Sequence, residues 1–241
     1  MKTLQLVFCA VMTALLIAVQ YALGFVSGIE LVTVLFLSFC YVFGVKCGLL
    51  TGIAFSLLRC LLFGFMPNVI LLYLVYYSLF ALLFGFAGAR RIPAWLCPAL
   101  LAVLAAACAY FALSGVPISV LYQPRVSVML WILFGITLSI LFFYIALVAA
   151  KKGEQGRELA AVTALAAFST VLFTLLDDVI TPLFMGYSAE AAAAYFYTGF
   201  IAMLPQTICA AVSVLVLFLP LKKAFFSIKR RMTVPPPPTG G

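Results

Sequence analysis

Residues 68–88 read NVILLYLVYYSLFALLFGFAG, a stretch without a single acid or base. At a helical rise of 1.5 Å per residue it covers about 30 Å, the thickness of a bilayer's hydrocarbon core. In water a helix that is apolar all round has no face to turn to the solvent. In hydrocarbon the same helix satisfies every internal backbone hydrogen bond and needs no such face. The stretch therefore reads as a membrane span, and the rest of the chain can be read outward from it.

Seven more apolar segments flank it: Leu4 to Ala22, Glu30 to Gly44, Cys47 to Gly64, Ala94 to Leu113, Val126 to Ala150, Leu159 to Pro182 and Tyr195 to Leu221. The second and third of the eight are short. Over the whole chain of 241 residues, 67% are hydrophobic and 8% charged, with a mean hydropathy of +1.30. A soluble domain is about a quarter charged, so this composition cannot cover a water-facing surface. Long unbroken apolar runs favour helices over the two-residue alternation of a barrel. The expected fold is all-α, a polytopic membrane helix bundle of about eight spans.

The net charge of +8 would suit a nucleic-acid partner in a soluble protein, but its placement excludes that reading. Lys2, Lys46, Arg90 with Arg91, Lys151 with Lys152, and the group from Lys222 to Arg231 fall between spans. Threaded through eight alternating crossings, all but Arg59 and Arg125 of the basic residues lie on one side. Positive loops mark the cytoplasmic face, so both termini are expected inside. Residues 1–228 form the membrane domain. Residues 229–241, basic and then proline-rich from Pro235, are expected to be a disordered tail. Lys2 followed by an apolar segment has the look of a signal peptide, but no soluble domain follows it.

Absences narrow the chemistry. The sequence has no histidine, no GxxxxGK[ST] loop and no CxxC pair, so no histidine-based triad, zinc site or ATP-hydrolysing loop can be assembled, and neither a metal nor a cofactor is expected. Asp177 and Asp178 are adjacent and point about 100° apart on a helix, unlike the paired acids of an aspartyl membrane protease. The seven cysteines read as small packing residues. No enzyme is expected.

Ionisable and amide groups at membrane depth mark function by default. Arg59 lies about 18 Å into its span, and Glu30, Asp177 and Asp178 stand near the same, outer, side. With Gln206, which follows the helix-interrupting Pro205, they are the candidate substrate-binding residues of an outward-opening polar pocket. Tyr73, Tyr76, Tyr77, Tyr187, Tyr195 and Tyr197 read first as packing or interface residues. Small residues repeat at spacing four as Ala10, Ala14, Ala18, Ala22 and as Gly44, Gly48, Gly52, stripes that let another helix approach closely.

The runs Gly28-Ile29-Glu30-Leu31-Val32-Thr33, Phe43-Gly44-Val45-Lys46 and Leu57-Leu58-Arg59-Cys60-Leu61-Leu62-Phe63-Gly64 resemble the substrate-binding S components of energy-coupling factor transporters. So do the alanine ladder of the first span and the closing stretch Tyr195 to Lys222. The resemblance covers roughly the first 90 and the last 65 residues. It implies a six-helix core, with the segment from Ala94 to Ala150 adding two helices. It also implies capture of a vitamin-like micronutrient outside a bacterial cell membrane, and delivery inward with a transmembrane coupling subunit and two ATPase subunits. Ala10, Ala14, Ala18, Gly44 and Gly48 would face the coupling subunit, and the loop from Leu23 to Ile29 would close the pocket. The family often carries an acid where Arg59 stands, and a cation there implies an anionic or carboxylate-bearing ligand. The competing reading is a ligand-free membrane scaffold like the cell-shape protein MreD.

Overall fold

In a computed structural model, residues 3–25, 31–89, 95–115, 123–150 and 153–233 are described. They form eight helices: α1 (Thr3–Leu23), α2 (Val32–Phe43), α3 (Val45–Phe63), α4 (Pro67–Ala89), α5 (Leu96–Ser114), α6 (Gln123–Ala150), α7 (Glu154–Met185) and α8 (Ala189–Thr233). No strand occurs among the described residues. Glu30, the basic residues Lys2, Arg90, Arg91, Lys151 and Lys152, most of the loop before α2 and the prolines from Pro235 lie outside them.

Seven of the helices are long and apolar enough to cross a membrane. The chain is thus an all-α polytopic membrane protein, with one correction to the expected eight spans. Helix α2 has 12 residues, about 18 Å, which is short of a hydrocarbon core. It is buried in protein instead, with Phe36, Leu37 and Phe39 fully covered. Its length is set by Gly44, whose φ of 83° ends α2 and opens α3 with no other residue between them. Ser38 inside α2 turns its hydroxyl back to the Val34 carbonyl at 2.7 Å, so no polar group is stranded.

Contacts fix the direction of each helix. At one end Phe8 of α1 packs on Phe43 of α2 with ring centroids 4.9 Å apart, and Phe225 of α8 joins them. Lys222 of α8 pairs with Glu158 of α7, and Tyr41 of α2 donates to the same carboxylate at 2.5 Å. At the other end Tyr21 of α1 meets Phe63 of α3, and Asn68 of α4 donates to Thr181 of α7 at 3.3 Å. Consecutive helices therefore run in opposite directions. Lys46, Arg157, Lys222, Lys223, Lys229, Arg230 and Arg231 collect at the first, basic end, and Arg59 lies towards the opposite one.

Helices α1–α4, α7 and α8 interlock around Phe36, Phe55, Phe84, Leu165 and Phe218. Helices α5 and α6 pack on each other as a hairpin and lean on α7, partly through a small cluster of Cys108, Leu133, Val171 and Met203. All seven cysteines are free, and six are buried. Helix α8 overruns the expected span at both ends. Its 45 residues reach about 67 Å, past a bilayer, and carry the helix through Lys229–Thr233, residues that by sequence belong to the tail.

The glycine stripe is used in packing inside the body. A Cβ at Gly48 would come within 2.9 Å of the Cys40 sulfur and 3.1 Å of the Ala81 methyl, and one at Gly52 within 3.1 Å of the Phe36 ring. Gly48 and Gly52 thus let α2 and α4 close on α3, and Gly44 makes the corner. The alanine stripe differs, because Ala10, Ala14 and Ala18 are exposed on the outward face of α1 beside Val7, Val11 and Leu15.

Candidate ligand-binding site opposite the basic end

Arg59 sits fourteen residues into α3, about 21 Å along it, where a cation is costly unless it is held. Its guanidinium lies over the Tyr73 ring of α4, 4.1 Å from the centroid, with Phe63 at 5.4 Å. Such a contact, removed from water, is worth about 2 kcal/mol. The ring does not supply what a guanidinium fork lacks, a hydrogen-bond acceptor. Its Nε is buried and has no partner among the described residues. Tyr73 is itself wedged against Phe173 of α7 and Tyr77, and Gln20 of α1 reaches its hydroxyl at 3.5 Å.

Helix α7 supplies the acids. Phe173, Asp177 and Thr181 follow one another at spacing four and so share the face that meets α4. Asp177 has a donor on each oxygen: Thr181 at 2.6 Å on Oδ1, and the Tyr195 hydroxyl of α8 at 2.8 Å on Oδ2. Asn68, at 4% exposure, completes this chain by donating to Thr181, while its own Oδ1 is left without a donor. Asp178, one residue on, turns towards α8, where a Cβ on Gly199 would stand 2.7 Å from its Oδ1. Both of its oxygens are buried and neither has a hydrogen-bond donor.

The structure gathers part of the expected site. Arg59, Asp177 and Asp178 all lie towards the end opposite the basic residues, but among the described residues no ion pair joins Arg59 to either acid. Glu30 lies outside the described residues. Gln206 is half-buried and no hydrogen bond links it to this group. Gln206 lies eleven residues beyond Tyr195 on the same helix, about 16 Å along α8 from the Asp177 contact. Gln20, Asn68 and Thr181 belong to the cluster and were not singled out from sequence. The amides Gln20 and Asn68 carried a signal, being polar groups at the ends of apolar runs. Thr181 carried none.

No family model, curated protein or solved structure matches this chain. Its chemistry has to be argued from the cluster. Buried polar atoms in proteins are nearly always bonded, and each exception asks for a reason. Among the described residues five of the six exceptions fall towards the end opposite the basic residues, namely Arg59 Nε as donor, and Asp178 Oδ1 and Oδ2, Asn68 Oδ1 and Gln20 Oε1 as acceptors; the sixth is Thr51 Oγ1.

Asp178 gives a direct check. An ionised carboxylate buried without a partner costs more free energy than an amide of the same shape. Asp178→Asn is expected to raise the stability of the ligand-free protein by about 1 kcal/mol and to weaken ligand retention, as read from detergent melting curves and native mass spectrometry. A variant both less stable and equally able to hold ligand would place Asp178 in the structural framework alone.

Proposed function

We propose that this chain is a substrate-binding membrane subunit of the energy-coupling factor type. In this reading it takes up a vitamin-like micronutrient, bearing a carboxylate or other anionic group, at the end opposite the basic residues. It delivers the molecule inward with a separate transmembrane coupling subunit and two ATPase subunits, and it catalyses no reaction itself. Its place is the bacterial cytoplasmic membrane, with the basic end and both termini inside.

The observation that carries the reading is the Arg59 guanidinium, lodged on Tyr73 far into an apolar helix with a buried nitrogen that has no acceptor. A bundle that only had to pack would be more stable with an apolar side chain of that volume. A ligand-binding site keeps the charge for its partner. The resemblance in α2, α3 and α8 supplies the transporter class, and the exposed alanine ladder of α1 supplies a face on which a coupling subunit can close.

Native mass spectrometry of the protein isolated from its own membranes tests the proposal. A retained small molecule together with copurifying ATPase subunits supports it. A ligand-free protein accompanied by cell-wall synthesis components instead identifies a scaffold of the MreD kind. The docking face is tested separately by Ala10→Leu with Ala14→Leu. Two added side chains on an outward face leave the core untouched, so ligand retention is expected within about twofold of the parent while uptake into cells falls to background. Normal uptake would remove α1 from the docking surface.

A further inference from the structure

We propose that α7 and α8 hold one monovalent metal cation between them, on the Asp178 carboxylate and the Thr174 hydroxyl. The site needs nothing from Arg59 or from a substrate, and so does not rest on the transport reading.

Two carboxyl–hydroxyl pairs stand side by side on α7 at the same spacing of four, and only one of them is closed. In the closed pair the Thr181 hydroxyl donates to Asp177 Oδ1 at 2.6 Å, and Tyr195 of α8 donates to Oδ2 at 2.8 Å. In the other, Asp178 has two buried oxygens without a donor, and the hydroxyl of Thr174, a residue 8% exposed, has no hydrogen-bond partner among the described residues. Buried threonines elsewhere on this helix do otherwise. Thr163 and Thr170 turn their hydroxyls back to the carbonyls four residues earlier, at 2.7 and 3.1 Å. Helical side chains lean towards the N-terminus, so the Asp178 carboxylate reaches back over Thr174. Both meet Gly199 of α8, where a Cβ would lie 2.7 Å from Asp178 Oδ1 and 3.5 Å from the Thr174 methyl. The missing side chain of Gly199 gives the carboxylate its place in the seam between the two helices.

Charge and size select the occupant. Among the described residues no ion pair reaches Asp177 or Asp178, and an ionised carboxylate away from water needs an opposite charge. Carboxylate and hydroxyl oxygens are hard ligands, suited to alkali and alkaline-earth ions and not to soft metals. Asp177 has both oxygens engaged already, and no group of three or more acidic, cysteine or histidine side chains gathers among the described residues. One negative charge is therefore on offer, and a single positive charge matches it. The Asp178 oxygens are covered, and α7 packs more extensively on α8 than on any other helix, which favours a bare ion over an organic ammonium.

Melting of the ligand-free protein in detergent tests the site, in mildly alkaline buffer where a carboxyl ionises, with sodium chloride compared against choline chloride at equal ionic strength. Sodium is expected to raise the midpoint of the parent by about 5 °C above its value in choline. Asp178→Asn is expected to melt at the same temperature in both salts. Thr174→Val, which keeps the shape and removes the hydroxyl, is expected to need about tenfold more sodium for the same shift, the loss of one ligand oxygen. Equal midpoints of the parent in the two salts would overturn the proposal, and so would a sodium shift that survives Asp178→Asn. Calcium acting at far lower concentration than sodium would overturn the single charge. If Asp178→Asn fails to fold, Thr174→Val decides, since a variant with the parent's sodium dependence overturns the site. No substrate is present in these melts, so the ion site and the Arg59 site stand or fall separately.

Discussion

Arg59→Ala is expected to reduce ligand retention on the order of 100-fold while the helical bundle stays folded. The size follows from the chemistry of the missing partner. A guanidinium fork meeting a carboxylate away from water makes two charge-assisted hydrogen bonds, together about 3 kcal/mol, and each 1.4 kcal/mol is a factor of ten. The fold is expected to survive because the described structure gives Arg59 ring contacts with Tyr73 and Phe63 but no ion pair to break. Lysine is the informative companion. Arg59→Lys keeps the charge but loses the planar fork, and is expected to fall between parent and alanine. Binding measured by native mass spectrometry or calorimetry on the three proteins decides the matter. Unchanged affinity across the series would return Arg59 to packing and remove the main support for a ligand site.

Gly88→Ala is expected to cost about 3 kcal/mol or more of stability. A Cβ at this position of α4 runs into the main-chain carbonyl of Tyr41, and one at Gly85 would come within 2.7 Å of the Val45 nitrogen. The obstacle is backbone and not the end of a flexible side chain, so α2 and α4 must part. They carry with them the Tyr41 hydroxyl that donates to Glu158. Gly135→Ala on α6 is the matched control, since a Cβ there meets nothing within 4 Å. That change is expected to be neutral or to stabilise by about 0.5–1 kcal/mol through helix propensity. Melting midpoints in one detergent compare the two. A Gly88 variant as stable as the Gly135 variant would show that the contact between α4 and the α2–α3 corner is not tight.

The helical class and the spans were legible in the sequence because hydrocarbon imposes a simple rule, about twenty apolar residues for each crossing. Span α4 differs from its sequence reading by a residue at either end. Legibility failed where protein, and not lipid, surrounds a helix. A run too short to cross reads the same as a weak span until its neighbours are known, and so α2 reads as a crossing. The boundaries of α8 failed for another reason. Neither Pro205 nor Pro220 ends that helix, and its first turns, beginning at Ala189, precede the apolar stretch that hydropathy detects.

The candidate site divides along the same line. Arg59, Asp177 and Asp178 could be named from sequence because charge is rare in an apolar helix and the alternation of spans assigns each an end. Their partners could not. That Asp177 is satisfied by Thr181 and Tyr195, and Asp178 by no described donor, depends on a rotation of about 100° between neighbours and on which helix each then faces.

By itself, then, the sequence determined the solvent of this protein, its helices, their alternation and the end at which its unusual charges lie. All of these follow from composition and length along one chain. Only tertiary structure decided which small residues are spent on packing and which remain on the surface. The two stripes have the same spacing, yet α2 and α4 close over Gly48 and Gly52, while no other helix of the body covers Ala10, Ala14 and Ala18. Spacing tells which residues share a face. What that face meets is settled by long-range contacts, which no local pattern contains.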